Sequence, residues 1–106
     1  MYMRNLACLC LLFCLSLLTA TATAAEAKVI ITSECDYVLL DSEQGQILIK
    51  LIKGDKPKTG DVLEGKLEKG FSDLVNRRTG DTLQTWIDMI DSGATKVLMR
   101  FGQYCN

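Results

Sequence analysis

The sequence predicts a small α+β domain: a mostly antiparallel β-sheet, or a partly closed barrel, of four to five strands followed by one C-terminal amphipathic helix. Three observations carry that expectation. Gln46 to Lys53 alternates strictly, with Ile47, Ile49 and Leu51 on one face and Leu48, Lys50 and Ile52 on the other. Turn chemistry recurs between apolar runs, at Asp41-Ser42-Glu43-Gln44-Gly45, at Gly54 to Gly60 and at Arg78-Thr79-Gly80-Asp81. Beyond Asp91 the apolar period changes from two to that of a helix: Ala94, Val97, Leu98, Phe101 and Cys105 fall at i, i+3, i+4, i+7 and i+11.

Taken in order, the chain opens on Arg4, an apolar run from Leu6 to Leu18 broken only by Ser16, and a small-residue exit from Thr19 to Ala25. Positive start, short apolar core and small-residue exit are the parts of a secretory signal, so residues 1–24 read as a cleavable signal peptide with Ala22-Thr23-Ala24 at the cut. A cut after Ala22 is the alternative. The rival reading is a retained anchor, since no charge occurs from Asn5 to Ala25. Against it, the last third is Ala and Thr, without a flanking Lys or Arg cluster. Cys8, Cys10 and Cys14 lie within the apolar run and read as small apolar residues.

Residues 25–106 then make one domain, small enough to need a staple. Cys35 and Cys105 are its two cysteines, and in an oxidising compartment they predict a disulfide. Closing a loop of that length stabilises by about 4 kcal/mol in the chain-entropy model. Two free thiols, or a dimer through one of them, are the alternatives. Val29-Ile30-Ile31-Thr32 and Tyr37-Val38-Leu39-Leu40 are rich in strand formers and read as one long strand bent around Ser33-Glu34-Cys35. The turn at Asp41 to Gly45 leads into the alternating strand. Gly54 to Gly60, which holds the only proline, Pro57, is a loop. Asp61 to Glu68 is a further strand, with Gly65 marking a bulge or bend and Val62 or Leu63 and Leu67 offered to the core. Leu74 to Arg77 and Thr82 to Met89 form a second hairpin. Leu83 and Trp86 cannot share one face of a regular strand, which calls for a bulge or helical turn there. Ser92 or Asp91 would cap the helix.

The segments Cys35-Asp36-Tyr37-Val38-Leu39-Leu40, Gly60-Asp61, Gly65-Lys66-Leu67 and Gly70-Phe71, with the helix ending near Cys105, resemble a group of small exported bacterial proteins of uncharacterised function. The resemblance spans most of the chain beyond residue 24. It implies an OB-like barrel, the oligonucleotide- and oligosaccharide-binding type, and brings no catalytic residue.

Composition narrows the chemistry. The chain holds no histidine, which removes Ser-His-Asp and Cys-His nucleophile pairs and imidazole metal ligands. Lys58-Thr59-Gly60 matches one element of the penicillin-recognising serine enzymes, but no Ser is followed by Lys three residues on. A phosphate loop fails as well: Gly54 and Gly60 are one residue too far apart, and Asp61 stands where Lys is required. Asp88 with Asp91, or Asp36 with Asp41, could pair for acid–base work or hold a hard cation, but the spacing equally suits solvated faces. The sequence therefore calls for no cofactor and no metal.

Charge is uneven beyond residue 24. Eleven basic residues face thirteen acidic ones, a net −2, yet Lys50 to Arg78 carries eight basic against five acidic residues. Lys50, Lys53, Lys56, Lys58, Arg77 and Arg78 form a candidate ligand surface, with Trp86 as a stacking platform if the second hairpin brings it near the two arginines. The bland reading of the same residues is a solvated strand-and-turn surface and a core tryptophan. The expected function is an exported, periplasmic or secreted, binding or interaction module without catalytic activity. A protein partner is favoured, weak polyanion or polysaccharide binding is allowed, and no membrane span remains after processing. The alternatives are an accessory of a small cell-envelope hydrolase and an inhibitor of an exported enzyme.

Overall fold

The chain curls into a closed antiparallel barrel with a helix laid on its outside. The computed structural model describes residues 25–105; the expected signal segment, 1–24, lies outside them. Six strands, β1 (Ala25–Ile31), β2 (Tyr37–Ser42), β3 (Gly45–Lys53), β4 (Val62–Gly65), β5 (Gly70–Asn76) and β6 (Thr82–Asp91), precede one helix, α1 (Ala94–Tyr104). Around the barrel the order is β1-β2-β3-β6-β5-β4, and β1 closes the ring by pairing with both β2 and β4. The α+β class and the C-terminal helix match the expectation, but the barrel is fully closed and has six strands rather than four to five. An OB-type barrel is five-stranded and partly open.

The extra strand comes from the first segment. Val29–Thr32 and Tyr37–Leu40 are not one bent strand: bends at Glu34–Asp36 reverse the chain, and Val29 pairs with Leu40. The run of polar residues between the two apolar stretches is a turn whose tip carries Cys35. The other strand limits also differ. β4 stops at Gly65, whose φ of 155° brings its backbone against Asp73, so that a Cβ there would lie 2.7 Å from the Asp73 carbonyl oxygen. β5 starts at Gly70, four residues before Leu74.

Alternation fills the interior. Val29, Val38, Leu40, Ile47, Ile49, Leu63, Leu74, Leu83 and Ile87 point inward and are fully buried, and Leu67 plugs in from the β4–β5 connection. The predicted facing of Gln46–Lys53 holds: Ile47, Ile49 and Leu51 join this core while Leu48, Lys50 and Ile52 face out. Leu39 and Leu48, outward on β2 and β3, are buried beneath Val97 of α1, with Ile30, Ile31, Tyr37, Met89 and Phe101 around them. That second core explains why Val38–Leu40 and Ile47–Ile49 are continuous apolar runs: these strands are covered on both faces.

The helix stripe is narrower than its sequence spacing suggests. Val97 is buried and Phe101 partly buried, but Leu98 is half exposed. Gly93 occupies the N-cap position and offers no side chain; Asp91 Oδ1 instead accepts the Gly93 N–H at 2.7 Å, ahead of the helix. The Leu83–Trp86 conflict is resolved by pointing Leu83 inward and Trp86 outward. A bulge does occur in β6, at Asp88, where Leu48 pairs with Met89 but Ile49 pairs with Ile87. Cys35 and Cys105 lie at disulfide distance, Cα to Cα 5.4 Å, and join the β1–β2 turn to the end of the helix.

Candidate binding face

Strand register builds the site. Phe71 on β5 lies directly opposite Trp86 on β6, Trp86 opposite Lys50 on β3, and Lys50 opposite Tyr37 on β2. Side chains on neighbouring strands in register point to the same side, so these four form a row across the outer wall. Phe71 and Trp86 pack edge to face, with ring centroids 4.7 Å apart and planes at 70°. Lys50 Nζ stands 6.0 Å from the Tyr37 ring centroid, and Tyr37 continues the row to Tyr104 of α1, centroids 4.5 Å apart. Burial, together with the nearby Tyr104, Asp88 and Asp36, raises the Tyr37 pKa, so this phenol stays neutral and keeps its proton to donate.

The aromatic row is unusually open to solvent. Phe71 is 79% exposed and Trp86 37%, and Ile52 and Val75, outward on β3 and β5, are 50% and 37% exposed. Two residue pairs along, Asp73 faces Gln84, and beyond a bulge at Ile52 Gln84 faces Lys53. An anion, an amide and a cation thus border the rings. Among the described residues, the side chains of Lys50, Lys53, Asp73 and Gln84 make no hydrogen bond or ion pair with one another or with any neighbour.

The structure splits the sequence-predicted surface. Lys50, Lys53 and Trp86 come together on this wall. Arg77 and Arg78 do not join them: Arg77 lies six positions beyond Phe71, just past the end of β5, about 20 Å along a strand. Both arginines are already engaged. Arg77 bridges Glu26 and Glu64. Arg78 grips Asp61 with Nε to Oδ1 at 2.7 Å and Nη2 to Oδ2 at 3.0 Å. Asn76 Nδ2 and the Lys58 backbone N–H each donate to Asp61 Oδ2 at 2.9 Å. These bonds, the Arg78 fork above all, hold the buried Asp61 carboxyl well below the usual carboxylate range. This cluster ties the β3–β4 loop to the β5–β6 turn, so Arg78 is a structural clamp. Lys56 is turned toward the Ser33 carbonyl, and Lys58 lies exposed on the same loop.

The carboxylates of Asp88 and Asp91 serve different ends. Asp88 faces Arg100 of α1 at 3.6 Å, while Asp91 serves the turn before the helix. At another part of the barrel an open cleft of about 760 Å³ is lined by Glu26, Lys28, Asp41, Glu43, Val62 and Leu67, with no aromatic surface.

Sequence reasoning missed Phe71, Asp73 and Gln84. The signal was present: counting by twos back from the inward Leu74 puts Asp73 and Phe71 outside. A strand that begins at Leu74 excludes Phe71, whereas β5 begins at Gly70 and carries it. Comparison with family models, with curated proteins and with solved structures finds no match for this chain.

Proposed function

We propose that this chain is an exported, non-enzymatic binding module whose recognition surface is the outer wall of β5, β6 and β3. The observation that carries the proposal is the exposed Phe71–Trp86 pair. Large aromatic side chains are normally at least partly withdrawn from water, and two of them kept open in register, among unpaired polar groups, mark a surface meant to be covered. Export rests on the signal-like pattern of residues 1–24, on the disulfide-distance cysteine pair, and on the resemblance to small exported bacterial proteins. Binding rather than catalysis is favoured because the wall offers stacking and hydrogen-bonding groups without a nucleophile–base pair beside them.

The reading is tested by site-specific photo-cross-linking in the exporting cell. A photoreactive residue at Phe71 should give defined adducts that the same residue at Glu43, on the β2–β3 turn, does not give. Equal or absent adducts at both positions would discard the wall as a binding surface.

A further inference from the structure

The make-up of this wall also narrows what it binds, given that it is a binding surface at all. We infer that it takes a neutral polysaccharide, with one pyranose ring stacked on Trp86 in the corner formed with Phe71. The rings stand at 70° to each other, so they offer a floor and a side wall rather than two parallel plates. A pyranose has an apolar C–H face that fits an aromatic plane and a rim of hydroxyls that both donate and accept. The bordering row supplies both senses: Asp73 accepts, Lys53 donates, and Gln84 between them does each. Lys50 adds a donor on the other side of Trp86.

Charge separates this ligand from a polyanion. Two cations, Lys50 and Lys53, share the wall with the anion Asp73, while Arg77 and Arg78 are committed to Glu26, Glu64 and Asp61. A nucleic acid or acidic polysaccharide requires a one-sided basic surface to displace its counterions. Shape separates it from a small ligand. A strand wall has no depth to enclose a free sugar, but a polymer can lie across it and engage Phe71, Trp86, Lys50 and Tyr37 along the row, which runs across four strands.

Trp86 is the only tryptophan in the chain, so its fluorescence reports on this site alone. The experiment titrates the intact exported protein with cellohexaose, maltohexaose and N-acetylchitohexaose, with polygalacturonate and oligo(dT) as anionic probes. The expected result is a saturable change with at least one neutral oligosaccharide, unaltered between about 50 and 500 mM salt. Phe71→Ala and Gln84→Ala should each weaken it by about tenfold, in line with the usual worth of one stacking or hydrogen-bonding group. Three results would overturn the inference: no response to any neutral probe up to about 10 mM, a response only to the anionic probes that salt abolishes, or an unchanged affinity in Phe71→Ala. Defined protein adducts from the Phe71 cross-linker alongside the first of these would retain a binding module and reject the sugar. Absent adducts at both cross-linking positions would reject the module itself.

Discussion

Asp61 shows how one carboxylate organises a barrel end. It is 6% exposed and receives four hydrogen bonds, from Arg78 twice, Asn76 and the Lys58 backbone. Burying that charge is offset only while these donors are present, so removing its anionic form leaves Arg78 and Asn76 unanswered. Asp61→Asn should lower stability by about 2 kcal/mol, toward the lower end for a buried pair because Arg78 remains half in water. Chemical denaturation at neutral pH checks it. The depressed pKa also sets a pH dependence. In the unfolded chain Asp61 takes up a proton near its ordinary value of 3.8, whereas in the folded chain it resists doing so. Its contribution is complete above that value and is lost as the pH falls below it. Denaturation midpoints should therefore decline from about pH 4 downward, and Asp61→Asn should flatten that decline. Phe71 is the opposite kind of residue. Its ring is mostly in water and meets Trp86 edge to face, so Phe71→Ala should cost no more than about 1 kcal/mol of stability. A loss of binding in that variant is then a loss of contact, not of fold.

Element by element, the strands were legible where one face meets the core and the other meets water. Ile47, Ile49 and Leu51 are the clearest case. Legibility failed where that contrast disappears: Val38–Leu40 is apolar throughout because Leu39 lies beneath Val97, and without alternation the polar Ser33–Asp36 run before it suits a bend as well as a reversal. The helix was legible from its period, but its hold on the barrel was not. It has no side-chain N-cap, includes Gly102, and buries Val97 as its one fully covered residue among those described. Such a helix is marginal on its own, and the Cys35–Cys105 link, 70 residues apart in sequence, supplies the tether. Reduction, or a Cys35→Ser/Cys105→Ser variant, should lower stability by up to about 4 kcal/mol. Hydrogen exchange should quicken first at amides of 94–104 and over Leu39 and Leu48, while the strands β4 and β5 stay protected. Equal acceleration everywhere would mean that the helix is part of the barrel's cooperative unit. The candidate face was half legible for a related reason. Lys50, Lys53 and Trp86 could be placed on hairpins, but which of them share a wall depends on β3 pairing with β6, a long-range contact with no local signature.

At the scale of the whole molecule, closure is the property that matters. Every strand has two partners, and β1 completes the ring by joining β2 on one side and β4 on the other. A closed ring leaves no edge to fray or to pair with another chain. It also makes distant walls depend on one another, because opening any seam exposes the single interior that holds Val29 and Ile87 together. β1 and β6 stand opposite in this ring, three strands apart in either direction. Trp86 therefore reports on the wall farthest from β1. Ala27 is buried on β1 and paired with both Ser42 and Leu63, so a proline there removes a ladder donor and has no solvent edge to escape to. Ala27→Pro should destabilise by at least about 2 kcal/mol. The telling measurement is where that loss is seen. In a closed barrel the Trp86 fluorescence midpoint must fall together with the far-ultraviolet circular dichroism midpoint, since no part of the ring unfolds alone. Were β1 only an appended edge strand, its loss would be local, and the Trp86 transition would stay where it is in the unsubstituted protein.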